Sequence, residues 1–167
     1  SAIIEYKGGI QRIRGLAGSG KTIVLALKAA YLHATNSELD IVVTFNTRAL
    51  KNQFIDLIEL FCIQKTGRKP NFAKIRIMQA WGSPSSPGVY YEFCTTNGVI
   101  YHDYRSTSDK EHPFDAACKS SFGAIKQTSI KELYDVMLVD EAQDLSENFL
   151  NMAYAMLRKD SKGKRNL

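Results

Sequence analysis

Gly15-Leu16-Ala17-Gly18-Ser19-Gly20-Lys21-Thr22 is the stretch on which the reading of the whole chain turns. Glycines let the backbone N–H groups of a tight turn curl around a phosphate, and a helix opening directly after the turn adds its dipole and free donors. In such a loop Gly15, Ala17, Gly18, Ser19, Gly20, Lys21 and Thr22 contact the nucleotide. The Lys21 amine is expected to reach the β- and γ-phosphates, and the Thr22 hydroxyl to ligate Mg²⁺. At average glycine usage the pattern arises by chance about once in 150 or more chains of this length, so an ordinary glycine turn is a weak rival.

The flanking residues suit that mechanism. Ile10 to Leu16 carries a modest strand signal, and Lys21 to Thr35 reads as a helix apolar all round, hence buried. Ile41 to Phe45 is a continuous apolar and β-branched run, as for a strand covered on both faces. Leu50, Phe54, Leu57, Ile58 and Phe61 share one helical stripe, ended by Gly67 and Pro70, and Ile75 and Ile77 alternate with Lys74 and Arg76 in a further strand. The rhythm β-α-β-α-β predicts an α/β fold with a parallel sheet.

Residues 82–131 interrupt it. Ser83 to Gly88 is turn-rich, and Val89 to Cys94 reads as a helix stopped at Gly98, against a rival hairpin turning at Asn97-Gly98. Pro113 to Phe122 reads as a second short helix ended by Gly123. The aromatics of this insertion suit packing of a small subdomain or stacking on bases. Val136 to Val139 then forms an apolar strand running into Asp140 and Glu141. A last helix carries Phe149, Leu150, Ala153, Met156 and Leu157, capped by Asp144 or Ser146.

Hydrophobic residues make up 44% of the 167 and charged residues 23%, which argues for a packed domain and against disorder. The net charge of +5 permits an anionic partner without demanding one, since Lys159, Lys162, Lys164 and Arg165 supply much of it. Cys62, Cys94 and Cys118 are odd in number, far apart and without metal-ligand spacing, so buried free thiols are expected. No apolar run spans a bilayer and no signal-peptide h-region precedes Arg12 and Arg14. A reduced, soluble, cytoplasmic protein without membrane partners is the expectation.

Asp140 and Glu141 are the second chemical element. A buried strand delivers its C-terminal carboxylate to the crevice where ligands of open α/β sheets bind. Asp140 there would hold Mg²⁺ through water, and Glu141 would orient and deprotonate the attacking water.

Three segments resemble motifs I, Ia and II of superfamily 1 helicases of the UvrD/Rep type: Gly15 to Thr22, Val43 to Ala49, and Tyr134 to Asp144. The Asp140-Glu141-Ala142-Gln143-Asp144 form is the most specific of the three. The resemblance implies a P-loop NTPase of RecA-like fold, with ATP and Mg²⁺ as cofactors. It implies an ATP-dependent helicase or translocase acting on single-stranded or partly duplex DNA. It assigns catalysis to Lys21, Glu141 and Gln143, with Gln143 sensing the γ-phosphate and coupling hydrolysis to the DNA groove. Phe45, Asn46 and Arg48 stand in motif Ia, which helps to line that groove. Read from residue chemistry alone, Phe45 is as readily a core aromatic and Arg48 a surface arginine. Where the family often carries a Thr-Phe-His-like motif, this chain has Met78-Gln79-Ala80-Trp81, and Trp81 is the candidate for base stacking.

The family's N-terminal glutamine motif has no clear counterpart, since Gln11 lies inside the first expected strand. Residues 158–167 are expected to be a linker and the start of a core strand. The resemblance implies a second RecA-like domain, with arginines worth roughly 10³ to 10⁵ in rate in related phosphoryl-transfer systems, which is expected to be missing from these residues. Residues 1–167 are accordingly expected to be a truncated ATP-binding domain with little turnover of its own. The alternative is a P-loop NTPase acting as a switch or signalling module without unwinding.

Overall fold

All five residues of β1 (Ile41–Phe45) are buried, because this strand lies in the middle of a parallel sheet, three-stranded among the described residues, that is covered on both faces. The computed structural model describes residues 19–167. The expected strand at Ile10 to Leu16 and the loop residues Gly15 to Gly18 lie outside the described residues. β2 (Ile75–Gln79) and β3 (Val136–Val139) flank β1 in the order β2-β1-β3, with Ile41 opposite both Ile75 and Val136. The elements confirm an α/β architecture: a small parallel sheet flanked by helices.

Parity along the strands explains why β1 reads as one unbroken apolar run. Ile41, Val43 and Phe45, with Ile75, Ile77, Val136 and Leu138, face α1 (Ser19–Thr35) and α2 (Leu50–Thr66). Val42, Met78 and Met137 face the opposite way, against α3 (Val89–Asn97), α5 (Pro113–Gly123) and α6 (Glu147–Ala155). A strand with two apolar faces has no polar side to show. α1 is less enclosed than its composition suggests. Ile23 is exposed, and only the side bearing Leu25, Ala26, Ala29 and Leu32 packs against α2 and the sheet.

Local chemistry sets the helix ends. Gly67 and Gly98 adopt the left-handed conformation that glycine tolerates without cost and return their N–H groups to Ile63 and Cys94. Pro113 opens α5, and the Ser146 hydroxyl accepts the Phe149 N–H at the start of α6. The helical reading of Val89 to Cys94 therefore holds, and Ser146 is the cap of α6 with a hydrogen-bonding side chain. A one-turn α4 (Tyr104–Thr107), absent from the sequence reading, begins at Asp103, whose carboxylate accepts the Ser106 N–H.

Residues 82–131 are not a free-standing subdomain. Tyr90, Phe93, Cys94, Ala117 and Cys118 share one continuous core with Met137, Phe149 and Met152. The segment is the cover of the second face of the sheet. All three cysteines are buried free thiols, and burial pushes the Cys118 thiol up from its ordinary value. Residues 158–167 fold back as well: Lys159 bridges Arg165 around a turn at Asp160 to Gly163, and Asn166 bridges Val136 in parallel on the outer edge of β3. No helix among the described residues is long and apolar enough to cross a membrane.

Candidate functional site

Parallel strands end together, and here the C-terminal ends of β1, β2 and β3 bring three chain segments side by side. The Asp140 N–H continues the ladder to the Thr44 carbonyl at 2.9 Å, and the Ala80 N–H does the same to Phe45 at 2.8 Å. The Gln79 side-chain amide donates to the Asn46 carbonyl at 2.8 Å. Asp140, Asn46 and Ala80 thus leave the sheet at one edge, the crevice in which open α/β sheets bind ligands.

The first turn of α1 reaches this edge. Thr22 is buried, and its hydroxyl donates to Asp140 Oδ2 at 2.7 Å across 118 positions of sequence. Asp140 is buried too, and its other oxygen accepts the Glu141 N–H at 2.8 Å. Both carboxylate oxygens are therefore satisfied, which removes most of the cost of burying them. Because Thr22 is the donor in this bond, its oxygen keeps the lone pairs with which a hydroxyl accepts or ligates. Lys21, beside it, is half-buried. Gly20 and the backbone of Ser19 lie within the same helical turn.

Glu141 follows on a left-handed residue, with φ 55° and ψ 34°. Among the described residues its carboxylate is held by Thr47: the Thr47 N–H donates to Oε1 and the Thr47 hydroxyl to Oε2, both at 2.9 Å. Gln143 lies exposed in the short 3-10 turn Ala142–Asp144 that leads toward α6. Thr47 was not singled out in the sequence, although it stands between two residues that were. No local signal marked it, since the carboxylate it holds stands 94 positions away.

The residues assigned to nucleic acid divide. Asn46 and Arg48 are exposed at the end of β1. Phe45 is not available to a groove: it is wholly buried and stacks on Phe54 with centroids 5.7 Å apart, because odd positions of β1 face α2. Trp81 is likewise engaged within the protein. Its ring stacks on Phe114 at 4.9 Å, meets Tyr104 edge-on at 6.2 Å, and donates its indole N–H to the His102 carbonyl at 3.0 Å. Of the insertion's aromatics Tyr104 is exposed, whereas Tyr90 is fully buried, hydrogen-bonded to Ser121 at 2.7 Å and pushed above the ordinary phenol range by burial.

Among the described residues no cluster of three or more His, Cys, Asp or Glu side chains could cage a metal. Thr22 and Asp140 bring together a hydroxyl and a carboxylate, hard oxygen donors of the type that could ligate a hard divalent cation. Compared with protein-family models, with curated proteins and with solved structures, the chain finds no match in any of the three.

Proposed function

We propose that this chain is the ATP-binding and ATP-hydrolysing part of a nucleic-acid motor, a RecA-like domain of a helicase or single-stranded-DNA translocase. The observation that carries the reading is the 2.7 Å hydrogen bond from Thr22 to Asp140. The two residues were assigned to one magnesium site from separate motifs, and a chance glycine turn gives no reason for them to meet.

In this reading the Lys21 amine neutralises charge on the terminal phosphates as they bind. Bound Mg²⁺ supplies further charge neutralisation across the phosphate oxygens, and Thr22 and Asp140 are the residues that would hold it. Glu141 orients the attacking water and takes its proton. Gln143, exposed beside it, is positioned on the segment between Glu141 and α6 and reports the state of the phosphate to the rest of the motor. Asn46 and Arg48 offer an amide and a guanidinium to a phosphate backbone, contacts that position a strand without reading its sequence.

Titration with a fluorescent ATP analogue tests the reading. Saturable, Mg²⁺-dependent binding is expected, weakened at least tenfold by Lys21→Ala; absence of binding to the wild-type chain would overturn it. Adding oligo-dT separates motor from switch. Salt-sensitive oligonucleotide binding weakened by Arg48→Ala supports the motor, and nucleotide binding with no response to DNA supports a switch.

A further inference from the structure

Glu141 is the one non-glycine residue with positive φ among the described residues. For an L-residue that conformation costs about 1–2 kcal/mol and persists only where the surroundings over-determine it. Among the described residues three hydrogen bonds surround it. The Glu141 N–H is held by Asp140 Oδ1 at 2.8 Å, and the two carboxylate oxygens are held by the N–H and hydroxyl of Thr47 at 2.9 Å each. A single donor would leave the carboxylate free to swing about its last bond. Two donors from one residue fix both its place and its plane.

Thr47 is itself exposed, between Asn46 and Arg48, with its carbonyl accepting the Leu50 N–H at the mouth of α2. The geometry points to Thr47 as a positioning residue for Glu141: it aims the carboxylate, and it does so from the exposed segment at the end of β1. The inference rests on Glu141 being the group that orients the attacking water. The arrangement is that of a base aimed by a third group, and it makes the segment from Asn46 to Ala49 mechanically continuous with the hydrolytic site.

Two measurements on the full chain test it. Amide hydrogen exchange at Thr47, without nucleotide, is expected to be slow in the wild type and at least tenfold faster in Glu141→Ala. Hydrolysis of ATP under single-turnover conditions, with protein in excess, is expected to slow about tenfold in Thr47→Val with nucleotide affinity unchanged, and to recover in Thr47→Ser. Thr47→Val keeps the N–H and the shape of an exposed side chain, so folding is preserved. Exchange indifferent to Glu141→Ala, an affinity change in place of a rate change, or no rescue by serine would each overturn the inference. Absence of Lys21-dependent nucleotide binding in the wild type is a different result. It sinks the motor reading, while the exchange experiment still decides whether Glu141 holds Thr47.

Discussion

Thr22 and Asp140, 118 positions apart, share a buried hydrogen bond of 2.7 Å that ties the first turn of α1 to the C-terminal end of β3. The other Asp140 oxygen accepts the Glu141 N–H. The bond from Thr22 is charge-assisted, and its loss leaves a buried carboxylate oxygen without its donor.

Thr22→Val is therefore expected to cost about 1–3 kcal/mol in urea unfolding, while Thr22→Ser stays near the wild type. In a double-mutant cycle with Asp140→Asn the coupling should be about 1 kcal/mol or more. Additive effects of the two substitutions would show that the bond is not formed in solution.

Gly82 and Gly88 fold the turn after β2 so tightly that their backbones touch. A Cβ at Gly88 would overlap the Gln79 carbonyl and the Gly82 backbone, and Gly82 has φ +75°. Gly123, at the end of α5, has nothing near the position of a Cβ. Gly88→Ala is expected to cost about 3 kcal/mol or more, and Gly123→Ala to be neutral or up to about 1 kcal/mol stabilising. Thermal melts of the two variants decide the matter, and equal midpoints would contradict the close approach.

What the sequence made legible was local. The unbroken run from Ile41 to Phe45, the stripe on α2 and the stops at Gly67 and Gly98 each follow from chemistry within a few residues, and each stands where it was expected. The meeting of Thr22 with Asp140 is the one long-range exception, expected because the two motifs send both residues to one site. Phe45 was left open between groove and core, and strand parity decides for the core: odd positions of β1 face α2. The bond between Thr47 and Glu141 joins residues 94 positions apart through a backbone conformation that glutamate rarely adopts, so no local signal announced it. The run from Ile41 to Phe45 announced a cover on both faces of the sheet, but nothing local says that residues 82–131, read as an insertion packing as a small subdomain, supply part of the second one against Val42 and Met137.

Trp81 is the only tryptophan, which makes its surroundings directly measurable. With the ring stacked on Phe114 and the indole N–H given to His102, its emission is expected to follow unfolding of the covered sheet face and to be insensitive to oligo-dT. Trp81→Ala is expected to cost about 3 kcal/mol, toward the low end for a large aromatic because the side chain is only partly buried. Strong quenching by oligo-dT, lost in the presence of excess salt, would restore the base-stacking role.

His33 gives the fold a dependence on pH. It is buried on α1, where Nε2 accepts the Asn71 N–H at 3.1 Å while Nδ1 has no hydrogen-bond partner among the described residues. The neutral tautomer thus carries its proton on Nδ1; a second proton on Nε2 would turn the acceptor into a donor facing a donor. Burial lowers the folded-state pKa below the ordinary value of 6.5. The unfolded chain then binds the proton first, so stability is full above the unfolded pKa and is lost as pH falls through the lowered folded value. Asp115, held below the usual carboxylate value of 3.8 chiefly by its hydrogen bond from Asn148, loses its contribution only at more acidic pH and leaves the histidine window clear. Denaturant midpoints measured between pH 8 and 5 should fall in the wild type and stay nearly level in His33→Gln, which keeps an acceptor without a titrating group. A level wild-type profile, or an equal fall in the variant, would show that His33 is not the group that titrates.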